Sequence, residues 1–253
     1  MTAVQGTAVE IRTEDGVADA YLVHPDDGGP HPAVLLFMDA FGPRPGLRSM
    51  ADRLAAAGYT VLLPNVLYRN GRAPVVELPE FIGDEVRPEL FRRLAPLVLA
   101  LTPDLAMRDA DAYLGYLADC PVAVDGPVAL VGYCMGAQLA LYTAGTRPDR
   151  VAAVAGFHGA RLATDLPDSP HLLADRITAE VYFGQAENDS AKELERLEKA
   201  LSEAGVRHRC EVYPGTQHGY TQADTSAYDE EGDRRHRAAM LDLLSRTFRQ
   251  QSR

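Results

Sequence analysis

Several features that would assign this chain to a class are missing. No apolar run is long enough to cross a bilayer as a helix. The first residues, MTAVQGTAVEIRTEDG, lack the charged-then-apolar layout of a secretory leader. Cysteine is scarce. Cys120, Cys134 and Cys210 form an odd set with no CxxC and no Cys/His spacing suited to zinc. Basic patches are absent too: 25 bases face 36 acids, for a net charge of −11. A nucleic-acid binder needs a basic face, and none is present. The Arg-rich stretch from Arg234 to Arg237 is mixed with acids and reads as the solvated face of a terminal helix. There is no internal repeat and no low-complexity linker. These absences predict a cytoplasmic protein with reduced thiols, no metal and no cofactor. They also predict a small-molecule partner rather than nucleic acid or membrane, and a monomer or homodimer.

What is present is an ordinary globular composition, 46 % apolar and 24 % charged over 253 residues, which suits one α/β domain spanning 1–253. Strands are expected near 7–12 and 17–23, joined through the EDG turn. The continuous apolar runs AVLLFM (33–38) and TVLLP (60–64) suit strands buried on both faces. A helix between them should end at Gly58. The proline-rich segment 65–103 holds one expected helix near 87–101 and reads as a cap-like excursion. Beyond it the pattern alternates: helix 104–118, strand 128–132, helix 134–145, strand 151–157, strand 179–184, helix 190–203, strand 207–213, and a closing helix near 233–249. Such alternation predicts an α/β fold with about eight strands, a mainly parallel sheet and helices on both faces. Ligands in such folds sit beyond the carboxyl ends of the strands.

At the joint of one strand and helix stands Gly132-Tyr133-Cys134-Met135-Gly136, in LVGYCMGAQLAL. This is the G-x-nucleophile-x-G form of a nucleophile elbow. The nucleophile occupies a sharp turn in strained backbone, and residues two positions away must be small where strand and helix crowd together. The helix N-terminus then points free N–H groups at the sulfur and favours the thiolate. A buried structural cysteine is the bland reading; the strand–turn–helix context favours the nucleophile.

In this type of fold the acid and the histidine follow the nucleophile in that order. QAENDS, after strand 179–184, offers Glu187 and Asp189. Asp189 would serve equally well as the cap of the next helix, so the residues alone leave both acids open. PGTQHGY places His218 beyond a later strand end. His158 also follows a strand and is a candidate substrate contact; His24, His31, His171, His208 and His236 join no constellation. The oxyanion needs two backbone donors. Met135 supplies one; the loop MDAFG supplies the other through Ala40, with Phe41 as second choice. Phe41 and Tyr133 complete the candidate substrate contacts.

MDAFG, AAAGYTVLLPNVLYR, VGYCMG, FGQAENDS and YPGTQHGY together resemble the dienelactone hydrolase family of α/β-hydrolases, over most of the chain. The resemblance implies a Cys134–His218–Asp189 triad, and so prefers Asp189 to Glu187. It implies that Asp39, where the family carries a glutamate, regulates the thiol. It implies hydrolysis of an ester or lactone by thiolate attack and a thioester that water, activated by His218, then cleaves. The family recognises a substrate carboxylate with arginines, one of them four residues after the histidine; here that residue is Gln222. Arg69, Arg72, Arg92 or Arg93 would have to supply a cation instead. A neutral ester or a different lactone is therefore expected at least as much as dienelactone. A peptidase or acyltransferase on the same fold, or a binding protein with a retired site, are the rival functions.

Overall fold

Alternating buried strands and helices dominate the computed structural model, which describes residues 2–251. The strands are β1 (Val4–Thr13), β2 (Gly16–Pro25), β3 (Ala33–Phe37), β4 (Thr60–Pro64), β5 (Val128–Tyr133), β6 (Val151–Phe157), β7 (Glu180–Ala186) and β8 (His208–Tyr213). They form an eight-stranded sheet in the order β1-β2-β4-β3-β5-β6-β7-β8. The pairs β1–β2 and β2–β4 are antiparallel, whereas β3–β4, β6–β7 and β7–β8 are parallel. The expected architecture is thus present. β3, β4 and β5 are buried at every position, which is why their sequences read as unbroken apolar runs rather than alternations.

The helices are α1 (Pro45–Ala56), α2 (Arg87–Ala100), α3 (Pro103–Ala118), α4 (Met135–Thr146), α5 (Ala191–Glu203) and α6 (Glu230–Gln251). Their starts follow local chemistry. Thr102 caps α3 by accepting from the Leu105 N–H, with Pro103 at its first position. Ser190 caps α5 by accepting from the Glu193 N–H at 3.2 Å. α5 buries Leu194, Leu197 and Leu201, an i, i+3, i+7 stripe. α4 is buried almost all round, as its apolar sequence demands.

Contacts divide the chain into two units, 1–128 and 129–253. In the first, the excursion after β4 is anchored early. Asn65 donates to Asp19 at 2.9 Å, and the Ala73 N–H donates to the other Asp19 oxygen at 3.0 Å. Further on, Leu90 and Leu94 of α2 bury themselves with Phe41, Val76 and Ile82. The excursion thereby carries a small apolar core of its own. In the second unit, α6 packs on β6 and β7, and α5 on β8.

Candidate active site

Cys134 sits between β5 and α4 with φ 54° and ψ −116°. That left-handed φ costs a non-glycine residue about 1–3 kcal/mol, which the surrounding structure must offset. The offset is visible. The Cys134 N–H donates to the Phe157 carbonyl at 3.1 Å, and its carbonyl accepts from Ala160 at 3.3 Å. Gly132 explains the spacing: a Cβ there would lie 2.2 Å from the Gly136 carbonyl oxygen. The tight turn therefore needs the small residue, as the motif foretold. Cys134 as a residue is partly exposed, and its thiol is free of any disulfide. The first turn of α4 carries no acid, so nothing on the helix itself cancels its positive end.

The loop after β7 spends three consecutive side chains on the loop after β8. Glu187 accepts from the Gly215 N–H at 2.6 Å. Asn188 accepts from the His218 N–H at 2.7 Å. Asp189 contacts His218 Nδ1 at 2.7 Å through Oδ1, while its Oδ2 accepts from the Ala186 N–H. The two acids left open by sequence therefore have separate uses: Glu187 staples a turn, and Asp189 meets the imidazole. Ser190, not Asp189, caps α5. With Nδ1 directed at the carboxylate, Nε2 is left for Cys134.

The proton affinity of His218 reflects this placement. Burial alone would lower it. The hydrogen bonds to Asp189 and Cys134, with their negative charge, outweigh burial and push the imidazole up to about 10.

Other sequence candidates lie elsewhere. His158 is 0 % exposed, so it cannot touch a substrate directly; its ring packs against His218 instead. Tyr133 is equally buried and spends its hydroxyl on His236 Nε2 at 3.1 Å. Gln222 is buried, with its amide donating to the Thr221 hydroxyl at 3.1 Å. Phe41 is buried against Phe91, ring centroids 5.3 Å apart. Arg69 directs its guanidinium at Asp109 and Asp15, at 2.6 Å each. Arg72 and Arg92 pair with Glu10 and Glu89. Each of these side chains is thus already engaged within the fold.

Two features escaped the sequence. Asp39 is buried and held by a two-pronged ion pair with buried Arg44, at 2.8 and 2.9 Å, and it also accepts from the Phe41 N–H. Its charge is thus balanced within its own loop. The signal was an arginine five residues downstream in a loop too short to send it far. The second feature is His236, set aside from sequence as a histidine with no constellation, within a stretch read as a solvated face. It is 1 % exposed; its Nδ1 hydrogen-bonds the Asp233 carbonyl at 2.8 Å, with the Asp233 carboxylate close by at 3.1 Å. Its neighbours divide: Arg234 is exposed beside Glu231, and Arg235 lies over the Tyr213 ring at 4.1 Å.

Among the described residues, no helix is long and apolar enough to cross a membrane. A model of the dienelactone hydrolase family matches residues 18–248. A Synechocystis sp. protein provisionally named a carboxymethylenebutenolidase is 26 % identical over 234 residues, covering 90 % of this chain and 91 % of its own. The carboxymethylenebutenolidase of Rhodococcus opacus is 26 % identical over 204 residues, covering 79 % of this chain and 74 % of its own. Among solved structures, a dienelactone hydrolase-like promiscuous phosphotriesterase from metagenomic libraries aligns with a TM-score of 0.80 at 20 % identity, over 97 % of this chain and 99 % of that one. That likeness shows a shared fold. Matched along most of its length by the family pattern, the chain belongs to the dienelactone hydrolase family and is a hydrolase of that kind.

Proposed function

We propose that the protein hydrolyses neutral esters or lactones through a Cys134–His218–Asp189 triad and a thioester intermediate. One observation carries this: a single imidazole is joined to Asp189 on one side and hydrogen-bonded to Cys134 on the other, at a strained strand-to-helix turn. The Cys134 thiolate attacks the carbonyl carbon. As the tetrahedral species collapses, the ester C–O bond breaks and the departing oxygen takes the proton of His218. Acylation removes both the hydrogen bond and the charge of the thiolate, two of the influences that keep His218 protonated. The freed imidazole, oriented by Asp189, then takes a proton from water, whose oxygen attacks the thioester. Cys134 departs as thiolate, and His218 holds the proton again.

The oxyanion is assigned to the N–H groups of Met135 and Ala40, each worth about 3–4 kcal/mol in comparable sites. Asp39 enters as the thiol-regulating acid of the family pattern, with its charge already balanced by Arg44. A thiolate is a strong nucleophile and a good leaving group, so it suits activated esters whose alkoxide or enolate departs easily. Neutral substrates are favoured because Gln222 stands at the family's arginine position and turns its amide to Thr221, while Arg69 is occupied by Asp109 and Asp15. The free thiols of Cys120, Cys134 and Cys210 suit the cytoplasm.

The test is a panel of aryl esters and lactones with and without a carboxylate, run beside Cys134→Ala. Turnover of neutral compounds is expected, together with an acyl mass adduct on Cys134 in acid-quenched samples. Full turnover by Cys134→Ala would overturn the triad; a strong preference for anionic substrates would overturn the substrate class.

A further inference from the structure

The His218 imidazole is hydrogen-bonded to Asp189 through Nδ1 and to Cys134. A further restraint lies on its flank. The His158 ring stands 5.1 Å from the His218 ring at an interplanar angle of 72°, an edge-on contact. His158 is itself over-determined. It follows β6 with φ 38°, which a non-glycine residue adopts only under constraint. Its N–H donates to the Gly184 carbonyl at 2.9 Å. Its Nε2 lies 2.8 Å from the Thr221 hydroxyl oxygen. That oxygen accepts from the Gln222 amide at 3.1 Å. Tyr220 and Tyr133 close the remaining sides, with ring centroids at 5.3 and 5.8 Å. Tyr220 is anchored in turn, its hydroxyl donating to the Gly184 carbonyl at 2.9 Å.

The chain Gln222–Thr221–His158 therefore ends on His218, and it begins three and four residues further along the same loop. Gln222 and Thr221 are buried, as is His158, so none is placed to read a substrate. We propose that His158 is a positioning residue for His218, held in its pose by the Thr221 hydroxyl and the Gln222 amide. The residue at the family's arginine position thus orients the imidazole from behind. Among the described residues, His218, Tyr220 and Tyr133 face His158, and Asp189, Cys134 and His158 face His218.

This role rests on the proposed triad, and the test separates the two. Thr221→Val, Thr221→Ser, His158→Leu and Cys134→Ala are compared with the parent on an activated neutral ester. Active centres are counted by stoichiometric iodoacetamide labelling, and Tm is measured alongside. Loss of the flank contact should lower kcat per labelled centre about 3- to 10-fold in His158→Leu, with KM within twofold. Thr221→Val should fall by a smaller factor, and Thr221→Ser should restore kcat. His218 ring resonances should broaden in the first two variants and not in the third. If kcat per labelled centre is unchanged in both His158→Leu and Thr221→Val, the positioning role is overturned. The same holds if Thr221→Ser fails to rescue, or if kcat merely tracks Tm. If Cys134→Ala itself turns over, the triad has failed rather than the brace.

Discussion

The second unit contains two aspartate–histidine pairs serving consecutive residues of one strand end. Asp189 and His218 face Cys134; Asp233 and His236 face Tyr133. In each pair the carboxylate meets Nδ1, at 2.7 Å in the first and 3.1 Å in the second, and the far nitrogen is left for a thiol or a phenol. Their surroundings differ. The His218 side chain is 26 % exposed and the His236 side chain 1 %. Asp189 and His218 come from loops 29 residues apart, so only the tertiary fold joins them. Asp233 and His236 are one helical turn apart on α6, and Asp233 also receives Arg237 and the Tyr228 hydroxyl. The same pairing of groups thus performs two jobs. Where a candidate nucleophile and an opening to solvent accompany it, it is placed for the proton transfer we propose. Where both are lacking, it satisfies a buried hydroxyl and ties α6 to the elbow.

Breaking the carboxylate in each pair should separate the two most widely. Asp189→Asn replaces the carboxylate with an amide whose N–H2 can donate to Nδ1 and hold the wrong tautomer. The expected cost is about 10²- to 10⁴-fold in kcat, with little change in fold. Asp233→Asn should change kcat less than about threefold, because nothing reacts at Tyr133. Steady-state kinetics with a single aryl ester decides this. Comparable losses in the two variants would mean that the buried pair takes part in the chemistry.

Stability should reverse the ranking. His236→Leu leaves the Tyr133 hydroxyl buried in a pocket shaped for an acceptor, a cost of about 1–3 kcal/mol. His218→Gln, at a partly exposed loop, should cost less than about 1 kcal/mol. Urea titrations of the three proteins, read as shifts in midpoint at constant slope, measure the difference. A His218→Gln protein less stable than His236→Leu would erase the distinction drawn between relay and anchor.

How far each pair was legible in sequence follows the same division. Cys134 was readable because a tight turn imposes small residues at fixed spacing, and Gly132 meets that need through a contact no side chain could share. The buried strands were readable because AVLLF and TVLLP have no polar face to place outward. Asp189 was readable only through the family pattern. Glu187 lies two residues away in the same loop with the same charge, and only the folded loop shows which carboxylate reaches the ring. His236 was hidden by its neighbours. Arginines on either side make the segment look solvated, yet helical phase sends Asp233, His236 and Met240 to one face and leaves Arg234 exposed. Arg44 was hidden because an ion pair inside a loop leaves no periodic trace.

The finest test concerns protons. His218 is held protonated up to about 10 although burial opposes it, because Asp189 and Cys134 both bond and attract the charged ring. Removing the sulfur in Cys134→Ala deletes one hydrogen bond and one negative charge, leaving Asp189 alone against burial. The titration of the His218 ring, followed by NMR in selectively labelled protein, should therefore move down from about 10 towards the ordinary imidazole range. The sign matters for the mechanism. A histidine that stays protonated through neutral pH cannot act as a base, and the acyl-enzyme resembles Cys134→Ala in having no thiolate. In the proposed mechanism, such a downward shift would turn the imidazolium into a base able to activate water. An unmoved His218 in Cys134→Ala would mean that Asp189 alone holds the proton, and that acylation does not release it.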